Sequence, residues 1–124
     1  MENNFYTNIG QINRLNIETP LNKKEEIELI NNWQKLNDKE SLNRILGAYK
    51  RLVNSIVRKY LSYGLPKEDL MHEGMLGIIT ALNKFDLSKG FRLSTYARWW
   101  IKASIQNYIL KNWSIVKSVS TASH

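Results

Sequence analysis

Two adjacent tryptophans, Trp99 and Trp100, stand in the stretch YARWWIKASIQNYILKNW (96–113) beside Arg98, Lys102 and Lys111. Rings interleaved with cations suit one chemistry in particular. Unpaired nucleobases stack on aromatic faces while Lys and Arg follow the phosphates, each stacked base contributing about 1–3 kcal/mol. Bond-making chemistry finds little to work with. The chain has no cysteine, and no nucleophile–base pair or metal-ligand spacing is evident. His72 has Asp69 three residues before it and Glu73 one after, which is no ligand pattern, and His124 is terminal. An enzyme, a catalytic residue, a metal and a cofactor are therefore not expected.

A helix must present these rings. At 100° per residue, Ala97, Ile101, Ser104, Ile105 and Tyr108 line one side of it, a stripe suited to a core. Tyr96, Trp99, Trp100, Ala103 and Asn107 fall on another side, flanked by Arg98, Lys102 and Gln106. A helix with aromatics on two sides is either buried all round or uses one side for binding. The sequence predicts a division of labour, in which one tryptophan supports the fold and the other meets a base.

Charge is distributed to match. The net charge is +7, and residues 84–124 hold seven basic side chains against one acid, Asp86, so nearly all of the excess lies in the C-terminal third. That asymmetry points to a polyanion there; a merely solubilising face is the alternative. The first residues, MENNFYTNIGQINRLNIETP, have no basic start followed by an apolar run, and no stretch of eighteen apolar residues occurs. The expectation is a cytoplasmic protein with no membrane segment.

The remaining elements also read as helices. Asn22 and Glu25 stand as N-cap and capping-box partner for a first helix with Ile27, Ile30, Trp33 and Leu36 at helical spacing. Asp38 caps a second, with Leu42, Ile45, Leu46, Tyr49, Val53, Ile56, Val57 and Tyr60 along one stripe and Gly47 as the weakest point for a bend. SYGLP stops it. A third runs from about Lys67 to Lys84, DLSKG turns the chain, and Ser94 or Thr95 caps a fourth that ends near Trp113. The length suits one all-α unit, a compact bundle of about four helices over residues 21–113, with a flexible leader over 1–20.

Residues 49–113, with DLMHEG, GFRLSTYARWWIK and NWSIVK, resemble the second conserved region of bacterial RNA polymerase sigma factors. Residues 23–36 and the start of the second helix resemble the segment preceding it. YGLP and YILKNWSIVKSVSTAS are more similar to the heat-shock branch than to the housekeeping one. The resemblance implies a helical domain that docks on the clamp coiled coil of the largest catalytic subunit of core RNA polymerase. It also implies reading of the non-template strand of the minus-ten promoter element.

By position, Asp69, His72, Glu73, Met75 and Ile79 occupy the polymerase-docking surface, although His72, Met75 and Ile79 depart from the glutamine, asparagine and methionine often found there. For the acids, a solvated helix start is the alternative, since acids favour that end of a helix dipole. Phe91, Arg92, Thr95, Tyr96, Trp99 and Trp100 match the melting and minus-ten face. Resemblance implies that Tyr96 stacks on a flipped adenine and that Trp99 fills the upstream edge of the bubble. Lys84 and Lys102 match basic positions that meet the strand. Ala103 and Gln106 stand where the most upstream base pair is read; Gln106 can pair bidentately with adenine, whereas Ala103 offers only a methyl contact.

Two alternatives stay open: a single-strand-binding domain without polymerase, and a shortened sigma-like decoy. Residues 114–124 read as the start of a linker to further domains absent from this chain, and an anti-sigma or chaperone regulator is a further partner to test for.

Overall fold

Asn22 opens the first helix with its own side chain, its Oδ1 accepting the Glu25 backbone N–H at 2.8 Å while its amide reaches the Glu25 carboxylate. Asn22 is thus the N-cap that the sequence predicts, while Glu25 takes the Asn22 side-chain amide in place of the backbone N–H that a capping box would offer it. A computed structural model describes residues 19–122, with side chains through Trp113. Helix α1 spans Lys23–Leu36 and closes at Asn37, whose left-handed backbone (φ 50°) lets its N–H bond to the Trp33 carbonyl at 3.0 Å. Asp38 then starts α2, Lys39–Val57, with its carboxylate accepting from the Ser41 hydroxyl at 2.6 Å.

Helix α2 is continuous through Gly47. It tightens instead into a 3₁₀ segment over Arg58–Tyr63, which ends at Gly64 with φ 85°, a conformation that glycine adopts without strain. Pro66 leads into α3, Lys67–Lys84. A second 3₁₀ turn, Leu87–Lys89, is capped by Asp86 through the Ser88 N–H and hydroxyl. Helix α4 follows, Leu93–Ala122. It starts before Ser94 and Thr95, because Leu93 is fully buried as its first residue, and it runs on past Trp113, the end expected from sequence. The described residues thus hold four α-helices and no strand.

The described residues group into two compact units. Of the described residues, those up to Arg51 form one together with Asp86–Arg92; Leu52–Phe85 and the chain from Leu93 form the other. The expected leader over 1–20 lies outside the described residues except for its last two, of which Thr19 accepts two hydrogen bonds from Arg44.

In the first unit the buried residues Leu21, Ile30, Ile45 and Tyr49 accompany a carboxylate. Glu26 is 2 % exposed, accepts the Tyr49 hydroxyl, and pairs with Arg92 Nε at 2.9 Å. A buried charge persists only when paired and hydrogen-bonded, and this one is both. Ile27 and Leu36, expected on the apolar stripe, are exposed instead; the burial of Glu26 turns that stripe aside.

The second unit is built on α3 and α4. Gly77 lies against the backbone of Trp100 and Ile101, Gly74 against Ile101 and Ile105, and Asp69 against Tyr108. Moving back along α3 moves forward along α4, so the two helices are antiparallel. Leu70, Ile78, Ala81 and Leu82 from α3 and Leu93, Ala97, Ile101 and Ile105 from α4 are fully buried. The fourth-helix core stripe read from sequence is the buried one.

Candidate nucleic-acid interface

With Ala97 and Ile101 turned into the core, the helical period brings Tyr96, Trp99 and Trp100 to the flank of α4. Phe85 at the end of α3 is buried, and Tyr96 packs against it with ring centroids 5.7 Å apart. Tyr96 meets Trp100 edge-on at 6.2 Å, and Trp100 meets Trp99 at 4.8 Å with perpendicular planes. Four rings therefore form a chain running from the core to the surface. Trp100 is half-buried, whereas Trp99 is 64 % exposed. The two tryptophans thus differ in exposure, Trp100 lying against the fold and Trp99 outermost.

Cations border the chain of rings. Lys84 Nζ lies 5.6 Å from the centroid of the Trp100 ring, within cation–π range, and Lys102 is exposed one turn beyond Arg98. The Trp100 indole nitrogen is buried with no hydrogen-bond partner among the described residues. Thr95 is exposed and Ala103 half-buried. Gln106 is exposed, but its Nε2 already donates to the Tyr60 hydroxyl at 2.8 Å. Phe91 and Arg92 belong to the other unit. Phe91 is exposed. The Arg92 guanidinium is held by Glu26 and donates to the Leu21 carbonyl at 3.0 Å; the hydrogen bond to Glu26 pushes its pKa up and fixes its charge.

On α3, Asp69 and His72 are exposed and Glu73, Met75 and Ile79 half-buried. Asp69 accepts the Tyr108 hydroxyl at 3.2 Å. Sequence reasoning passed over Leu76, which is 42 % exposed at the centre of this face. Its spacing from Asp69, His72 and Glu73 was the available signal. Sequence reasoning also passed over a second aromatic group in this unit, Tyr60, Tyr63 and Trp113. Among the described residues no three His, Cys, Asp or Glu side chains gather as a metal would need, and no helix is long and apolar enough to cross a membrane.

The chain is similar in sequence to known proteins. The RNA polymerase sigma factor RpoH of Caulobacter vibrioides is 45 % identical over 102 residues, 82 % of this chain and 35 % of that protein. RpoH of Zymomonas mobilis is 46 % identical over 102 residues, 82 % of this chain and 34 % of its own length. The RNA polymerase sigma-C factor of Myxococcus xanthus is 40 % identical over 115 residues, 93 % of this chain and 38 % of that factor. The chain thus spans about a third of the length of these curated relatives. Residues 45–115, more than half of the chain and including the whole of α3 and the ring-bearing part of α4, match Sigma-70 region 2, and the chain belongs to that family.

Proposed function

We propose that this chain is the promoter-recognition part of a sigma factor of the heat-shock type, which docks on core RNA polymerase and captures unpaired bases of the minus-ten non-template strand. The observation that carries the reading is the exposed Trp99 ring standing on a half-buried Trp100, with Tyr96 behind and Lys84 beside it. A duplex hides base faces, so rings that hold flipped bases stabilise the open form by binding alone. No bond is made or broken, and the protein works in the cytoplasm as a binding module.

In this reading Tyr96 stacks on a flipped base and Trp99 fills the upstream edge of the bubble, with Thr95 and Trp100 on the same face; Lys84 and Lys102 meet the strand or its phosphates, and Ala103 and Gln106 read the most upstream base pair. Phe91 and Arg92 contribute from the segment that precedes α4. The face of α3 bearing Asp69, His72, Glu73, Met75 and Ile79, to which we add Leu76, meets the clamp coiled coil of the polymerase. The names of the RpoH relatives support the heat-shock assignment.

The test is binding of a single-stranded minus-ten oligonucleotide. Trp99→Ala and Tyr96→Ala should each weaken it by about 1–3 kcal/mol with the helices intact. Unchanged affinity in both variants would refute the reading.

A further inference from the structure

The segment between α3 and α4 is held at both ends. Its turn closes on itself, with Asp86 accepting the Ser88 N–H at 2.9 Å and the Ser88 hydroxyl at 2.6 Å. Its last residue is tied to α1 and the residue before its cap: the Arg92 guanidinium donates through Nε to Glu26 at 2.9 Å and through Nη2 to the Leu21 carbonyl at 3.0 Å. Glu26 is buried and also accepts the Tyr49 hydroxyl of α2, so its carboxylate is fixed from two sides. Between the closed turn and the tied residue stands Phe91, 67 % exposed. A ring so exposed has few contacts of its own, and the backbone that carries it sets its direction.

We infer that Glu26 is a positioning residue for strand binding: by holding Arg92 it fixes the segment that directs Phe91 at an unpaired base, and Arg92 serves as the tether instead of a phosphate contact. Stability alone does not account for the pair. Desolvation offsets much of the attraction in a buried ion pair, so apolar side chains of the same size do as well. What the pair adds is direction, because a guanidinium fork meets a carboxylate in a fixed plane. The edge of Arg92 that carries Nε and Nη2 is already occupied, and its charge lies 2.9 Å from an opposite one. A ring held ready in this way need not be ordered when the strand arrives. The inference rests on the reading of Phe91 as a strand-binding residue, and the experiment below separates the two.

Affinity of the full chain and its variants for a single-stranded minus-ten oligonucleotide is measured against salt. Phe91→Ala should weaken binding about 5- to 150-fold, the loss of one stacked base. Glu26→Gln, which offers one acceptor oxygen where the carboxylate offers two, should weaken it about 2- to 12-fold, as a side chain left to be ordered on binding would. Charge alone predicts the opposite sign, since removing an acid favours binding to a polyanion. In the Phe91→Ala background, Glu26→Gln should cause no further loss. Arg92→Lys keeps the charge but loses the fork, and should weaken binding as Glu26→Gln does, with the salt slope unchanged. Wild-type affinity in Glu26→Gln overturns the inference, as does the same loss with and without Phe91, which would mark a merely structural pair. So does a silent Arg92→Lys beside an Arg92→Ala that lowers the salt slope by about one, the mark of a phosphate contact. If Phe91→Ala is silent while Trp99→Ala weakens binding, the inference falls and the reading of α4 stands. If Trp99→Ala and Tyr96→Ala are silent while Phe91→Ala and Glu26→Gln behave as above, the reading of α4 falls and the positioning role stands.

Discussion

The Tyr108 hydroxyl, half-buried on α4, donates to Asp69 of α3, and its pKa is raised by loss of solvent first and by the negative charge of Asp69 next. The neutral phenol is thus favoured in the folded state. Its contribution to stability is complete below the ordinary tyrosine value of 10.0 and is lost as pH rises through the raised one. Subtracting the ultraviolet titration of Tyr108→Phe from that of the parent should give a midpoint above 10.0. Asp69→Asn should bring the midpoint part of the way back, since desolvation remains. A midpoint unmoved by Asp69→Asn would mean that the carboxylate does not face the phenol in solution. At this scale the sequence was readable where partners are close along the chain, as with Asn22 and Glu25. It was silent for Glu26, an acid whose burial makes sense only once Arg92, 66 residues away, is beside it.

Helices α3 and α4 approach closely because Gly77 has no side chain. A Cβ there would stand 2.7 Å from the Trp100 carbonyl oxygen and 3.0 Å from the Ile101 Cα, both backbone atoms that cannot turn aside. Gly77→Ala gains about 1 kcal/mol of helix propensity, but forcing packed helices apart costs about 1–3 kcal/mol. The variant should be the less stable, with a lower denaturant midpoint, and should disturb strand binding because Trp100 sits at the contact. A more stable Gly77→Ala would show that the helices can yield. The Asn22 cap of α1 was legible as local chemistry, and so was the core stripe of α4. Two misreadings of these helices share a cause. Gly47 looked like a bend, yet it is buried within a continuous helix. Ser94 and Thr95 looked like caps, yet burial of Leu93 sets the start. In both cases tertiary packing overrides a local preference that alone would decide.

At the scale of the whole molecule, the acids of the second unit are confined to α3, which also carries Lys67 and Lys84 at its two ends. Asp69 and Glu73 lie on α3, while the described part of α4 carries only cations. Asp69→Lys combined with Glu73→Lys should abolish binding to core polymerase, through repulsion and lost charge-assisted hydrogen bonds. The same double variant should leave single-strand binding intact or slightly strengthened. Retained polymerase binding at physiological salt would mean that the two acids serve only the helix start. The charge asymmetry was plain in the sequence, and DLMHEG and the paired tryptophans pointed to the family. The boundary at Arg51 was not legible, because it falls inside the continuous helix α2 and no local signal marks it.

The perpendicular Trp99 and Trp100 rings, 4.8 Å apart, have an optical consequence. Indoles at that separation are close enough for their ultraviolet transitions to couple, and a coupled pair adds its own circular dichroism to the far-ultraviolet band by which helix content is judged. Trp99→Ala removes the pair. Its spectrum should therefore change shape even if every helix survives, and survival is better read from the amide infrared band, to which the indoles are blind.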